Sequence, residues 1–318
     1  MKQFSGFGLA IAAAWAAMGL IFASPAAGAP EVVVSIKPIH SLVASVMAGA
    51  GAPRLLVSGA ASPHTYSLKP SGARALRRAR LVFWVGGGIE KFLEKPLKTL
   101  ARNARVVDVS RIEGLFLLPA RRGGVWEYHE PEGGEGGGPN PHVWLDPENA
   151  QAIVRSAADA LAGADPGNAR VYRANGRNTI RRLGALDREL RAKLGPVART
   201  PYMVFHDAYP YFERRYGLSA AGSVTVSPAR PPGARRLIRI RARLRARGAI
   251  CVFAEPGFRP ALIRTLVAGT GARAGVLDPL GAAIEPGPDM YFSLMRGLAA
   301  SLSRCLAPPR STGDFPLK

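Results

Sequence analysis

The sequence predicts an α/β protein of two lobes, each with a four-stranded, mainly parallel sheet, joined by a long rigid helix. Short apolar runs alternate with segments of helical apolar spacing, and four such runs occur in each half of the chain. A single long segment with helical spacing separates the two halves. Together these observations predict two parallel α/β domains.

The N-terminus is expected to be a cleavable signal peptide, residues 1–29. Lys2 precedes an apolar stretch, 7–23, and small residues follow in "ASPAAGAP". A positive start, an apolar middle and a small-residue end are typical of a secretory signal. An uncleaved membrane anchor is the alternative, although the stretch is short for a bilayer span.

Eight apolar runs bounded by turn residues are expected to be buried strands. The first lobe, 30–165, contains the runs 31–36, 54–57, 80–85 and 105–109. The second lobe, 196–318, contains the runs 202–205, 218–222, 250–254 and 274–278.

The segment between the lobes, 166–195, is expected to be the connecting helix. Pro166 suits a helix start, and Gly195 followed by Pro196 suits a stop. Four leucines, at 183, 186, 190 and 194, form one apolar stripe. At 1.5 Å per residue such a helix reaches about 45 Å, enough to span both lobes. Gly176 and Gly184 weaken the prediction, because each costs about 1 kcal/mol relative to Ala.

The chain is strongly basic, with a formal net charge of +21, and only eight of its 43 basic residues are Lys. The densest run is 235–247, where Leu237, Ile240 and Leu244 recur at helical spacing among arginines. This pattern favours a surface helix with one apolar stripe. A nucleic-acid binder would be similarly basic, but export argues against a nucleic-acid partner.

Two cysteines are present, Cys251 and Cys305. Export places them in an oxidising compartment, where they can form a disulfide. That bridge would close a loop of about 54 residues and contribute roughly 4 kcal/mol. Two buried free thiols are the alternative.

Four residues that can bind metal lie where strands end or helices begin. His206 follows the run 202–205, His64 follows 54–57 after a short loop, His142 precedes a helix, and Asp278 ends the last run. Ligands of open parallel sheets bind beyond the carboxyl ends of strands. Each residue alone is more typical of a capping or hydrogen-bonded group. Three imidazoles with one carboxylate suit a divalent transition metal, above all zinc.

Seven segments resemble, in their residues and in their order, those of the periplasmic zinc-binding components of ABC transporters. These components belong to the zinc and manganese cluster of solute-binding proteins. These segments are "VSIKPIHSLVASVM", "ASPHTYSLKPS", "LVFWVG", "NPHVWLDPENA", "FHDAYPYFERRYGL", "CVFAEPGF" and "VLDPLG". The resemblance implies a periplasmic monomer that is not inserted in the membrane and that passes Zn²⁺ to an inner-membrane ABC permease.

The resemblance also implies the roles of individual residues. His64, His142 and His206 would bind the metal, with Asp278 as a possible fourth ligand. A His at 206 favours zinc over manganese, and the two cysteines match a disulfide position of the zinc-type proteins. A manganese or iron carrier is one alternative. A zinc-dependent hydrolase is another, although the chain has no H-E-x-x-H and no G-x-S-x-G.

Two further expectations concern the surroundings of the metal. Asp207 and Glu255 are candidates for orienting a metal-bound imidazole, with ordinary strand-end polar residues as the alternative. The acidic, Gly-rich loop 120–141, which contains His129, is interpreted as a shortened, solvated lid, with weak binding of a second metal as the alternative.

Overall fold

The computed structural model describes residues 30–121, 138–225, 233–246, 248–257 and 260–308. The predicted signal peptide, His129 and most of the acidic loop lie outside these residues. Within the described ranges, no helix combines the length and the apolar character that a membrane crossing requires.

The described residues contain two four-stranded sheets in which every strand pair is parallel. The strands are β1 Val32–Val34, β2 Arg54–Leu55, β3 Leu81–Trp84, β4 Arg105–Asp108, β5 Tyr202–Val204, β6 Ala220–Ser223, β7 Cys251–Ala254 and β8 Arg273–Val276. The orders are β2-β1-β3-β4 and β6-β5-β7-β8. Each predicted apolar run overlaps one strand, and the predicted fold class is confirmed.

The helices of the described residues alternate with the strands, as expected for parallel sheets. They are α1 Lys37–Met47, α2 Pro70–Arg78, α3 Lys91–Thr99, α4 Pro147–Ala164, α5 Ala169–Leu194, α6 Pro210–Tyr216, α7 Ala234–Ala246, α8 Pro260–Val267 and α9 Met290–Leu306.

The connecting helix is α5, with 26 residues, preceded by a short 3-10 turn at Pro166–Asn168. It packs on α1 and α4 on one side and on α6 and α9 on the other. Its predicted leucine stripe is buried. Gly176 has a packing reason: a Cβ there would lie 3.1 Å from the Cβ of Ala158 in α4. Glycine therefore allows α5 and α4 to approach closely.

The outer face of the second sheet is covered by α7 and α8. Ile240 and Leu244 of α7 are 2% exposed and pack in a cluster with Met203 and Val252 of the sheet. The predicted surface helix with one apolar stripe is therefore present. On β7, Cys251 forms a disulfide with Cys305 of α9, which confirms the predicted bridge.

The strand order of the second sheet sets up the site described below. β5 lies between β6 and β7, so the chain leaves β5 toward one edge and returns to β7 on the other side. Tyr202 pairs with Cys251, and Met203 pairs with Val252. The residues that follow β5 and β7 are therefore neighbours at the point where ligands bind in such sheets.

Candidate metal centre

Three imidazoles from distant parts of the chain meet between the two sheets. One ring nitrogen from each of His64, His142 and His206 lies within 4.8 Å of the others. The three ring centroids are 5.2 to 5.8 Å apart. His142 and His206 are 4% and 5% exposed, and His64 is partly buried. This is a compact, mostly dry cluster of nitrogen ligands.

Each histidine reaches the cluster by a different route. His206 comes just after β5. His142 precedes a 3-10 turn, Val143–Leu145, that leads into α4. His64 lies in the loop between β2 and α2. The three rings are thus supplied by the end of a strand, by the turn before a helix and by a loop.

Glu255 holds the ring of His206. It directly follows β7 and is 5% exposed, and its Oε1 lies 2.6 Å from His206 Nδ1. A carboxylate in this position accepts the Nδ1–H and leaves Nε2 without a proton. The sequence predicted Glu255 for this role, and the geometry agrees.

Asn140 holds the ring of His142, a role the sequence analysis missed. Its Oδ1 lies 2.9 Å from His142 Nδ1 and accepts the backbone N–H of His142 at 3.1 Å. Asn side chains commonly bond the backbone two residues on, so the Asn-Pro-His spacing was the available signal. His142 Nε2, like that of His206, is therefore turned toward the cluster.

The distance between the two oriented Nε2 atoms fits a shared metal ion. His142 Nε2 and His206 Nε2 are 3.3 Å apart. Two ligands on a tetrahedral Zn²⁺ at about 2.05 Å lie about 3.3 Å from each other. His64 Nε2 is buried and has no hydrogen-bond partner among the described residues. The donor set therefore fits a tetrahedral cation that uses three imidazoles.

Burial keeps these rings neutral. Desolvation, reinforced by the neighbouring His206, lowers the pKa of His64 to about 3. The same causes, with His64 added, hold the pKa of His142 well below its usual value. Metal binding requires the unprotonated ring, so both side chains are ready to bind a cation at neutral pH.

Asp278 lies in the wall of the same pocket, but its carboxylate is engaged in its own loop. It accepts the backbone N–H groups of Leu280, Gly281 and Ala282 at 3.0, 2.8 and 2.5 Å. It lies two residues beyond β8 and outside the three-histidine group. Its role as fourth ligand stays a prediction.

The loop that follows Asp278 is also held by the other lobe. Lys37, at the start of α1, donates from Nζ to the carbonyls of Gly281, Ala282 and Ile284 at 2.8 to 3.0 Å. This buried ammonium ties the first lobe to the pocket wall of the second.

Asp207, the second residue proposed to orient an imidazole, has another partner. Its carboxylate pairs with Arg121, which also bonds Glu213 at 2.6 Å. The backbone carbonyl of Asp207 accepts from Asn140 Nδ2 at 2.8 Å. The expectation for the Asp207 carboxylate was wrong, because this group pairs with a guanidinium and not with an imidazole. The guanidinium belongs to Arg121, 86 residues earlier in the chain, so no local pattern indicates the pair.

Trp144 closes one side of the cluster. Its ring lies 5.2 Å from the ring of His142, and its Nε1 donates to the carbonyl of Pro279 at 2.9 Å. Tyr291 donates from its hydroxyl to the carbonyl of Trp144 at 2.7 Å. The fully buried indole, hydrogen-bonded to the second lobe, excludes water beside the imidazoles.

Comparisons with known proteins agree with this geometry. The family model "ZnuA: Zinc-uptake complex component A periplasmic" matches residues 32–305. The high-affinity zinc uptake system protein ZnuA of Brucella suis biovar 1 is 45% identical over 305 residues, covering 87% of this chain and 91% of that protein. The protein of the same name from Yersinia pestis is 37% identical, with 91% and 96% covered.

Solved structures give the same result for the fold. A crystal structure of ZnuA superposes with a TM-score of 0.75 at 26% identity, covering 88% of this chain and all of that one. A ZnuA deletion mutant with zinc bound gives a TM-score of 0.74 at 26% identity, with 88% and 99% covered. The chain therefore belongs to the family of periplasmic zinc-uptake components, which are solute-binding proteins of ABC transport systems and not enzymes.

Proposed function

We propose that this protein captures Zn²⁺ with His64, His142 and His206 and delivers it to an inner-membrane ABC permease. The observation that carries the proposal is the meeting of three mostly buried imidazoles from both lobes, with nitrogens within 4.8 Å of one another. Zinc is the transported ion, so the site must both bind it and release it.

The surrounding residues prepare the site for this task. Glu255 and Asn140 hold two rings with Nε2 free, so little conformational freedom is lost when the ion binds. The fourth position would be taken by water, or by Asp278 after its loop rearranges. The helix α5 packs on both lobes and would limit closure to small shifts.

Zinc suits this site better than manganese does. Imidazole nitrogen favours zinc, whereas manganese favours carboxylate, carbonyl and water oxygens. The zinc uptake proteins named above are 45% and 37% identical to this chain over the aligned residues. A manganese or iron carrier would be expected to place carboxylates, rather than a third imidazole, in the cluster.

The cellular setting follows from the family and from the N-terminus. We expect residues 1–29 to be removed on export and the mature chain to act in the periplasm. Residues 30–165 and 196–318 would form the two metal-binding lobes, with 166–195 as the connector. All three histidines come from one chain, which supports a monomer, and size-exclusion chromatography with light scattering tests this.

The direct test is competitive metal binding by the purified mature protein. Wild type is compared with His64→Ala, His142→Ala and His206→Ala, and zinc is titrated against a chelator with manganese as competitor. His40→Gln is the matched control, because His40 lies in α1 and its ring bonds the carbonyl of Pro53 at 3.0 Å. We expect one tight zinc ion in wild type and control, and weak binding in the three variants. Equal zinc binding in all five proteins, or a preference for manganese, would overturn the proposal.

A further inference from the structure

The positive charge is concentrated in one part of the chain. Residues 214–277 contain 13 arginines and a single acidic residue, Glu255. Glu255 is 5% exposed and bonded to His206, so it contributes nothing to the surface. Residues 30–165, in contrast, contain 16 basic and 13 acidic residues. The charge imbalance belongs to the second lobe and not to the whole molecule.

The helix α7 displays part of this charge on the outer face of that lobe. Its apolar side, with Ile240 and Leu244, packs on the sheet. Its outward side exposes Arg235, Arg239 and Arg245. Between the first two of these lies Ile238, which is 69% exposed. A large apolar side chain thus projects from the middle of a basic face.

Some arginines elsewhere in the described residues pair with carboxylates. Arg296 bonds Glu189 at 2.8 Å, and Arg215 bonds Asp187 at 2.9 Å. In α7, Arg241 and Arg245 bond backbone carbonyls instead. Arg241 donates to the carbonyl of Ala268 at 2.7 Å.

Arg245 behaves in the same way, donating to the carbonyl of Gly269 at 3.3 Å. Both carbonyls follow the last turn of α8, where the helix dipole favours cations. These bonds fix the positions of the two guanidinium groups, and a neutral carbonyl does not cancel their positive charge.

We propose that the outer face of α7 binds an anionic phospholipid surface. A basic amphipathic helix that also exposes an aliphatic side chain is typical of binding in the plane of a membrane interface. Each arginine near an anionic surface contributes about a fivefold gain in binding constant. Binding through three or four arginines would be weak, reversible and sensitive to salt. The α7 face is separate from the metal cluster, so this proposal does not depend on zinc binding.

The arrangement of side chains on the outer face of α7 favours an anionic membrane over an acidic protein. The arginines lie along one helix, and the exposed Ile238 is placed to enter the boundary between headgroups and acyl chains. A nucleic acid would gain nothing from that side chain.

The test is co-sedimentation of the purified, full mature protein with vesicles. One set contains phosphatidylglycerol mixed with phosphatidylcholine, and the other contains phosphatidylcholine alone. The test variant is Arg235→Gln/Arg239→Gln/Arg245→Gln, and the matched control, Arg170→Gln/Arg177→Gln/Arg188→Gln, removes three exposed arginines from α5. Circular dichroism and a zinc titration establish that both variants are folded.

We expect wild type to bind the anionic vesicles and not the neutral ones, with affinity falling as salt rises. The α7 variant should bind about 100-fold more weakly, and the α5 control less than about fivefold more weakly. Ile238→Ser, which keeps every charge, should reduce binding by about tenfold. Equal losses in the two triple variants would show an effect of net charge only and overturn the proposal. The proposal would also be overturned if the protein did not bind the anionic vesicles, or if it bound an acidic peptide or a nucleic acid instead.

Discussion

The two lobes hold their metal-binding side chains by different means. In the second lobe, His206 and Glu255 follow two adjacent strands, β5 and β7, and bond each other at 2.6 Å. In the first lobe, His64 and His142 lie in connecting segments at some distance from the strands. Sheet geometry fixes the ligand of the second lobe, whereas in the first lobe a side-chain hydrogen bond to Asn140 fixes His142.

Asn140 shows why this difference matters. Its Oδ1 holds the ring of His142, while its Nδ2 bonds the carbonyl of Asp207, the residue after His206. Its own carbonyl accepts from the hydroxyl of Tyr211 at 2.8 Å. The orientation of a first-lobe ligand therefore depends on contacts made by the second lobe. The comparison teaches that the site is complete only when the lobes are docked.

The largest effect is expected from removing a ring. His206→Ala, His142→Ala and His64→Ala should each weaken zinc binding at least about 100-fold, because structural zinc sites bind the ion with about 10–16 kcal/mol and each variant removes one of three imidazoles. Isothermal titration with a competing chelator measures it. If His64→Ala kept wild-type affinity, only two rings would bind the ion, and the first lobe would contribute less than the geometry indicates.

The next effect concerns the sheet-based support of His206. Glu255→Ala should weaken zinc binding by about 10- to 100-fold, because the imidazole loses the acceptor that fixes its tautomer. Glu255→Gln keeps an acceptor oxygen without the charge and should lose less. Glu189→Gln, which changes an exposed carboxylate paired with Arg296, is the control. Equal zinc affinities for wild type and Glu255→Ala would show that the Glu255 carboxylate does not support zinc binding by His206.

The support of His142 is tested by two changes at one position. Asn140→Ala should weaken zinc binding by about tenfold, because it frees the ring and breaks the bond to the second lobe. Asn140→Asp keeps the acceptor for His142 Nδ1, loses the donor to the Asp207 carbonyl and adds a negative charge beside the ring. An intermediate affinity for Asn140→Asp would separate orientation from lobe docking.

Asn175→Ala is the matched control for this pair. Asn175 donates to the carbonyls of Val46 and Ala48 at 3.0 and 2.8 Å, on the side of α5 that faces α1. It should leave zinc affinity unchanged. A loss equal to that of Asn140→Ala would indicate a general packing effect.

The last effect concerns stability rather than zinc affinity, and it is a pH dependence of the metal-free protein. The pKa of His64 is about 3 in the folded protein and about 6.5 in the unfolded chain. Between these values only the unfolded chain binds the proton, so the free energy of unfolding falls as pH falls from 6.5 toward 3. His64→Gln should reduce that slope by up to about 1.4 kcal/mol per pH unit. Urea unfolding at several pH values measures it, and identical slopes in both proteins would contradict a neutral, buried His64.

The fold could be predicted from local patterns because they carry the necessary information. Apolar runs of strand length, separated by helical spacing, identified β1 through β8, and the leucine stripe identified α5. Gly176 seemed unfavourable from helix propensity alone. Its reason is contact with Ala158, which no pattern within α5 records.

The site could be predicted only in part. The three histidines named from the sequence do meet in the structure, and strand-end placement accounts for the positions of His206 and Glu255. It did not show that Asp278 bonds its own loop, that Asp207 pairs with Arg121, or that Asn140 links the lobes. These partners depend on distances between residues far apart in the chain. The lowered pKa values of His64 and His142 depend on burial, which the sequence does not give.

The central claim is that rings from both lobes bind one zinc ion, and X-ray absorption at the zinc edge tests it most directly. The wild-type protein loaded with one equivalent of zinc should show three imidazole nitrogens at about 2.0–2.1 Å. The same measurement on His206→Ala should show fewer. A zinc shell with one imidazole or none, or an identical spectrum in the two proteins, would contradict the account.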